Sequence, residues 1–127
     1  MQFYDDKTSL AEKREYECSF TGTGAANPTK RYGQGITFTR TASGVYRATF
    51  AEHPGAFVKI GGYAFGADTP SAVKGYTLTR GVFVAPTSSA LGYLEMSVWN
   101  SSFAAADLAA LQYLDVTLVF AASAVAQ

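Results

Sequence analysis

Cysteine and histidine are almost absent from this sequence. Among its 127 residues there is one cysteine, Cys18, and one histidine, His53. A single cysteine excludes an internal disulfide, and no cluster of cysteine and histidine has the spacing of metal ligands. His53 is the only imidazole available to a catalytic triad, and it lies in a Glu-His-Pro-Gly turn that is typical of a solvated loop. We therefore predict no catalytic residue, no metal and no cofactor, and a protein that is not an enzyme.

Cys18 itself is predicted to be a core residue. It alternates with Tyr16 and Phe20 on one face of a strand, whereas Glu15 and Glu17 lie on the other face. Neighbouring carboxylates raise the pKa of a thiol, so a reactive thiolate is not expected. A fold without disulfides agrees with synthesis in a reducing compartment.

Charge is also scarce. Charged residues make up 16% of the chain, and ten basic residues balance ten acidic ones. A chain with no net charge lacks the excess of positive charge that binds phosphate backbones, so no nucleic acid is expected as a partner. A weakly charged surface favours association between copies. The longest apolar run, residues 118–126, is too short to span a bilayer, and residues 1–7 do not lead into the apolar segment of a secretion signal, so neither membrane insertion nor secretion is expected.

What the sequence does contain is the alternation of β-strands. The stretch Gly35–Phe50 reads as two strands joined by a tight turn at Ala42-Ser43-Gly44. Threonines fill much of the outer face of the first strand. The apolar face of this hairpin is predicted to consist of Ile36, Phe38, Tyr46, Ala48 and Phe50.

Four further segments alternate in the same way, namely residues 14–20, 73–84, 91–99 and 114–121, and residues 56–65 read as another strand that is interrupted by two glycines. In the segment 73–84 we expect Tyr76, Leu78, Arg80, Val82 and Val84 to share a face. The pair Gly61-Gly62 predicts a bulge or bend within its strand.

The remaining segments are predicted to connect these strands. Residues 21–35 contain four glycines and an Asn-Pro pair, which predicts a long loop. Residues 101–112 are rich in alanine and predict a short helix or helical turn that joins two strands. Residues 1–13 show no period and are interpreted as an N-terminal arm. The predicted fold is all-β: a single-domain antiparallel sandwich or jelly roll of about seven to eight strands over residues 14–127, with one short helical turn.

Short motifs add little chemistry. Ser71-Ala-Val-Lys74 matches the Ser-x-x-Lys spacing of penicillin-binding enzymes without the partner motifs, and Gly22-Thr-Gly24 lacks the third glycine and the helix of a phosphate loop. A set of aromatic residues could line a sugar-binding face, although core or interface positions are the more usual interpretation. These residues are Tyr46, Tyr63, Tyr76, Tyr93 and Trp99.

One family resemblance rests on the hairpin. The run from Gly33 to Phe50 resembles a phrase common in tailed-bacteriophage structural proteins, in which a Gly-Ile-Thr-Val-Thr-Arg strand turns at glycine into a tyrosine-containing strand that ends in phenylalanine. The segment Leu114–Phe120 is similar to the last strand of such domains. The resemblance covers about a quarter of the chain and does not include residues 1–13 or the glycine-rich loop.

The resemblance implies a virion structural protein, typically a trimeric β-sandwich. A small domain with an arm suits a capsid decoration, or cement, protein that clamps neighbouring subunits of the major capsid protein on the virion surface, after synthesis in the host cytoplasm. The contact residues are predicted to be Phe3, Tyr4, Lys30, Arg31 and Tyr32.

Other functions stay open at this stage. The alternative from the same viruses is a tail-fibre or baseplate module that binds a host glycan through Tyr93 or Trp99. A non-viral carbohydrate-binding module and an enzyme with a pocket around His53 or Cys18 are less favoured.

Overall fold

The structure is a computed structural model that describes residues 13–67 and 75–121. Within these residues it contains eight strands and no helix. The strands are β1 (Lys13–Thr21), β2 (Thr29–Tyr32), β3 (Ile36–Ala42), β4 (Val45–Phe50), β5 (Ala56–Ala67), β6 (Thr77–Val84), β7 (Tyr93–Trp99) and β8 (Gln112–Ala121). Two antiparallel sheets pack face to face, with the strand orders β2-β1-β8-β5 in sheet A and β3-β4-β7-β6 in sheet B. The predicted β-sandwich is confirmed.

One hydrophobic core lies between the sheets, and aromatic rings occupy both of its ends. Phe120 of β8 contacts the rings of Phe50, Phe57 and Phe83 at centroid distances of 5.2, 5.3 and 5.5 Å. At the other end, the ring of Phe20 lies 4.8 Å from that of Tyr46. Burial of each such ring contributes about 1.5–3 kcal/mol to folding, so these aromatics account for much of the stability of the sandwich.

The predicted hairpin is confirmed as β3 and β4. Ile36 lies opposite Phe50 and Arg40 lies opposite Tyr46 in the antiparallel register. Gly44, with a φ of 72°, occupies the turn, where a residue with a side chain would be strained. The inward-facing residues of this hairpin, other than Arg40, are buried.

The predicted faces of three other strands are also confirmed. Cys18 and Phe20 of β1 are fully buried. The inward residues of β7 and β8 are buried as the alternation predicted; they are Leu94, Met96, Val98, Val116, Leu118 and Phe120. In β5 the register with β8 shifts between Ile60 and Gly62, so the bulge predicted from the glycine pair is present.

The helix predicted over residues 101–112 is wrong. This segment is an irregular loop that closes one end of the sandwich, with a single bridge between Trp99 and Ala105. Its backbone groups bond to other parts of the chain: the Gly24 N–H donates to Leu108 O at 2.9 Å and the Ala106 N–H donates to Val98 O at 3.1 Å. Helix propensity differs by less than about 1 kcal/mol per residue, so these tertiary bonds override the alanine-rich composition.

The long loop predicted over residues 21–35 contains a strand that the sequence analysis missed. Thr29–Tyr32 forms β2 at the edge of sheet A, and all four of its residues are exposed. A short strand with no buried face shows no alternation of apolar and polar residues, so its composition gave no signal. Its pairing with residues 19–21 of β1 defines it as a strand.

The predicted face of residues 73–84 is partly wrong. The described part of this segment forms β6, which begins at Thr77, and its register with β7 shifts between Arg80 and Phe83. This bulge reverses the alternation, so Phe83 packs against the core while Val82 and Val84 are exposed. Residues 1–12 of the predicted arm, with Phe3 and Tyr4, lie outside the described residues, and Lys13 begins β1.

Candidate functional site

A bulge in sheet A places Arg31 over the outer face of the sheet. The register between β1 and β2 shifts between Ser19 and Phe20, so that Tyr32 lies opposite Ser19, Lys30 lies opposite Phe20, and Arg31 is the additional residue between them. The Arg31 guanidinium therefore reaches back over β1 and β8, as its contacts there show.

The Arg31 guanidinium is fixed by a group of polar and aromatic neighbours. Its Nη1 lies 3.1 Å from Asp115 Oδ1 and 3.2 Å from Ser19 Oγ, and its Cζ lies 3.9 Å from the centre of the Tyr113 ring. The Ser19 hydroxyl in turn donates a hydrogen bond to Asp115. An exposed ion pair alone contributes at most about 1 kcal/mol, but these contacts together hold one orientation of the guanidinium.

Beside this cluster lies a shallow groove of about 320 Å³ on the outer face of sheet A. Glu17, Tyr32, Asp115 and Thr117 line it on one side, and the Gly62–Ala64 segment of β5 lines the other. A Cβ atom built on Gly62 would meet no atom within 4 Å, so this part of the sheet is open to a ligand or partner. We name this concavity the Tyr32 groove.

The Tyr32 groove combines an aromatic ring with hydrogen-bond acceptors. Tyr32 is 46% exposed, and its pKa is raised, first by loss of water around the hydroxyl and then by the charge of Asp115, so it stays a neutral donor. Among the residues that the structure describes, Glu17 makes no hydrogen bond or ion pair. A planar or sugar-like group can therefore stack on the Tyr32 ring and donate hydrogen bonds to the carboxylates of the groove.

Of the three predicted contact residues that the structure describes, Arg31 and Tyr32 face this groove or its edge. The Lys30 ammonium instead donates to Gly33 O at 3.0 Å and Ile36 O at 2.9 Å, where it fastens the connection between β2 and β3. Phe3 and Tyr4 lie outside the described residues. The structure thus brings Arg31 and Tyr32 together and turns Lys30 away from them.

The aromatic residues considered for sugar binding do not form one face. Tyr46 is buried in the core, and Tyr76 donates its hydroxyl to Gln112 Oε1 at 3.0 Å. On the outer face of sheet B, the Arg47 Cζ covers the Tyr93 ring at 3.7 Å, and Trp99 Nε1 donates to Thr79 Oγ1 at 2.9 Å. Of this set, Tyr63 is the one ring exposed to a large extent, at 44%.

Cys18 and His53 lie in the environments predicted for them. Cys18 is buried and its Sγ faces Val116 O at 3.8 Å. Burial raises the pKa of this thiol to about 12, so the cause of the raised pKa is burial and not, as predicted, the neighbouring glutamates. His53 is exposed, and its Nδ1 accepts a hydrogen bond from the Gly55 N–H at 3.0 Å.

A second and larger pocket, of about 450 Å³, lies where β3 begins and β4 ends. Its apolar base comes from Tyr16, Ile36 and Phe50, and its rim carries Glu15 and Glu52 together with Glu17. We name it the Phe50 pocket. Sequence reasoning missed it because it joins three segments that lie far apart along the chain.

The described residues contain no group of histidine, cysteine and acidic side chains that could hold a metal ion. Over the same ranges, none of the secondary structure is a helix long and apolar enough to cross a membrane. Comparisons with protein-family models, with curated proteins and with solved structures find no match.

Proposed function

We propose that this protein is a structural component of a tailed-bacteriophage virion, and that it acts as a capsid decoration protein. The observation that carries the proposal is the hairpin Ile36–Phe50, whose sequence resembles phage structural proteins and whose fold as β3 and β4 agrees with a β-sandwich of that kind. The second resembling segment, Leu114–Phe120, lies within β8 in the middle of sheet A.

The proposed mechanism is mechanical. Copies associate as a homotrimer and bind the major capsid protein, and their contacts hold neighbouring capsid subunits together. The outer edge of sheet A suits such a contact, because β2 is exposed along its length and Arg31 is held in one orientation beside Tyr32. The segment 1–12, with Phe3 and Tyr4, is proposed to add contact area on a neighbouring subunit.

The composition of purified virions tests this proposal. We expect mass spectrometry of phage particles from the source strain to detect the chain, and immunogold labelling to place it on the heads. After heads and tails are separated, the protein should remain with the heads. Detection in tails alone would replace the decoration role with the tail role, and absence from the particles would reject a virion protein.

Reconstitution on particles that lack the protein tests the proposed contact. Deletion of residues 1–12 and Tyr32→Ala should each weaken rebinding to the heads while leaving the melting temperature of the free protein nearly unchanged. Thr37→Ala is a suitable control, because Thr37 is an exposed residue on the opposite sheet. Full rebinding of both altered proteins would remove these residues from the interface.

Glycan binding is a second candidate function, and the Tyr32 groove is the observation that favours it. An exposed tyrosine beside carboxylates and a glycine-lined strand is an arrangement that can bind a sugar ring. Glycan-array binding that is lost with Tyr32→Ala and kept with Trp99→Phe would support this function. Binding that is kept with Tyr32→Ala and lost with Trp99→Phe would instead support a glycan site at Tyr93 or Trp99, as predicted from the sequence.

A further inference from the structure

Part of β1 forms an open edge of sheet A. β2 pairs only with residues 19–21 at the end of β1, and no strand lies beside residues 13–17 in the part of the chain that the structure describes. The pairing of β1 with β8 is regular along its whole length, without a bulge. The edges that β5 and β6 form carry bulges, which hinder pairing with a further strand. The open edge of β1 is therefore a template on which another strand can be added.

The ladder shows which backbone groups of this edge face away from the sheet. The Gly22 N–H donates to Gln112 O at 2.8 Å and so continues the register of β1 with β8. Hydrogen-bonded residues alternate along an antiparallel ladder, so the even-numbered residues of β1 direct their backbone groups towards β8. Lys13 and Glu15 direct their N–H and C=O groups towards the open edge. Within the described ranges these groups have no hydrogen-bond partner.

There is room for a strand beside this edge. The Phe50 pocket, of about 450 Å³, lies between residues 15–17 of β1 and residues 34–36 at the start of β3. A strand that bonds to β1 lies about 4.8 Å from it and contacts its backbone. Such a strand does not require access to Ile36 and Phe50, which are buried at the base of the pocket.

Residues 1–12, which lie outside the described residues and lead into β1, carry charges that complement this edge. In one antiparallel register, three consecutive pairs of facing residues have opposite charges. These pairs are Lys7 with Glu12, Asp6 with Lys13, and Asp5 with Arg14. A shift of one residue in either direction places like charges opposite each other, which destabilises a strand pair. The charges therefore select a single register.

The sequence between the two halves of this register disfavours a hairpin within one chain. Lys7 and Glu12 are separated by Thr8-Ser9-Leu10-Ala11, which contains no glycine, proline, asparagine or aspartate to form a tight turn. Pairing with another copy needs no such turn. An extended segment of twelve residues reaches up to roughly 40 Å, which is enough to reach a neighbouring molecule.

We propose that residues 3–7 of one copy pair as an antiparallel strand with residues 12–16 of a neighbouring copy. The added strand supplies partners for the backbone groups of Lys13 and Glu15, and the three charge pairs set its register. Reciprocal exchange between two copies produces a dimer, and cyclic exchange produces a closed ring such as a homotrimer. The proposal concerns contacts between copies of the free protein and does not depend on the virion role.

Engineered cysteines test which chain supplies the added strand. The double variant Asp5→Cys with Arg14→Cys places two thiols opposite each other in a pair without hydrogen bonds, where facing Cβ atoms are close. The native Cys18 is buried and should not interfere. We expect oxidation to produce disulfide-linked oligomers on a non-reducing gel, with mass spectrometry of peptides locating the bond between positions 5 and 14.

An out-of-register pair is the matched control for cross-linking. Asp5→Cys with Glu17→Cys places the second thiol on the same edge but three residues away, so it should cross-link far less. A disulfide between positions 5 and 14 within single chains would assign the strand to its own chain and overturn the exchange. Equal cross-linking of both double variants, or none in the first, would overturn the proposed register.

Charge reversal tests the same register by sedimentation velocity. The wild-type mass should increase with concentration, and a chain without residues 1–12 should stay monomeric. Asp5→Arg and Arg14→Asp should each weaken association by about three- to tenfold, because each places like charges opposite each other, and their combination should restore it. Lys59→Asp, a charge reversal at an exposed position on β5, should associate as the wild type does. A wild-type protein that is monomeric even at millimolar concentration, or a combination that restores nothing, would overturn the proposal.

Discussion

At the scale of single residues, two polar interactions hold the end loop against the core. The Tyr46 hydroxyl accepts a hydrogen bond from the Leu108 N–H at 2.8 Å, and both residues are buried. The Asp107 carboxylate accepts from the Gly44 N–H at 2.8 Å and from the Arg40 guanidinium. The conformation of the loop is therefore determined by these hydrogen bonds more than by its alanine-rich composition. The bonds satisfy polar groups that have no partner within the loop.

Removal of the Tyr46 hydroxyl should destabilise the protein. Tyr46→Phe keeps the ring but leaves the buried Leu108 N–H without its acceptor, and we expect a loss of about 1–3 kcal/mol in the free energy of unfolding. Tyr93→Phe is the matched control, since no hydrogen bond of its hydroxyl is found within the described ranges. Denaturant titration of both variants measures the difference, and equal stabilities would show that the bond contributes nothing.

Asp107 should make stability depend on acidic pH. The hydrogen bond from Arg40, followed by that from Gly44, lowers the pKa of Asp107 below its ordinary value of 3.8. Because the folded state favours the carboxylate, the stabilisation is complete above the unfolded pKa and is lost as the pH falls through the folded pKa. The melting temperature of the wild type should exceed that of Asp107→Asn at neutral pH, and the gap should narrow below about pH 4. A gap that stays constant into strong acid would contradict this linkage.

At the scale of elements, the bulge in β6 decides which side chains reach the core. Phe83 packs against Phe57 and Phe120 at centroid distances of 5.9 and 5.5 Å, whereas Val82 is 53% exposed. Phe83→Ala should therefore cost at least about 2 kcal/mol, while Val82→Ala should change stability by no more than about 0.5 kcal/mol. A strand with uninterrupted alternation would bury Val82 and expose Phe83, and so predicts the larger loss for Val82→Ala. Chemical denaturation of the two variants distinguishes the bulged strand from the regular one.

Two glycines with the same backbone conformation should respond differently to substitution. Gly24 and Gly44 both have a φ of 72°. A Cβ on Gly24 would meet nothing within 4 Å, but one on Gly44 would lie 2.7 Å from the Ala106 N and 2.8 Å from the Val98 O. Gly24→Ala should cost about 1–2 kcal/mol from backbone strain alone. Gly44→Ala should cost about 1–3 kcal/mol more than Gly24→Ala, because its Cβ would also clash with these backbone atoms. Equal losses of stability for the two variants in thermal unfolding would contradict the close packing of this turn.

The elements that alternation predicts well are those with one buried face and no interruption. β4 and β7 fulfil this condition along their length, and β8 fulfils it as far as Leu118, after which both of its faces are buried; the inward residues of all three could therefore be identified from the sequence. β2 has no buried face, and β6 changes register within the strand, so neither could be assigned correctly from periodicity. The end loop was mistaken for a helix because the bonds that shape it come from residues distant in the chain.

The candidate site shows the same limit. Arg31 and Tyr32 could be selected as a basic and aromatic cluster, but their partner Asp115 lies on β8, which the fold alone brings beside β1. The Phe50 pocket likewise joins residues of β1, β3 and β4. A single sequence indicates the faces of strands but not the order of strands in a sheet, and that order creates both concavities.

At the scale of the whole molecule, the two sheets should unfold as one unit. Their shared core contains buried residues of both sheets, including Cys18 from sheet A and Val98 from sheet B. Because neither sheet has another partner for its apolar face among the described residues, loss of one should remove most of the stabilisation of the other.

The single tryptophan and the single cysteine allow this cooperativity to be measured. Trp99 lies on sheet B, where its Nε1 bonds to Thr79, and Cys18 is buried in sheet A with a thiol pKa raised to about 12. We expect the fluorescence of Trp99 and the labelling of Cys18 by a thiol reagent to report the same denaturant midpoint, because the thiol becomes accessible only when the sandwich opens. Phe50→Leu, which weakens the contact between the sheets, should lower both midpoints equally. Labelling of Cys18 well below the fluorescence transition would show instead that sheet A opens while sheet B remains folded.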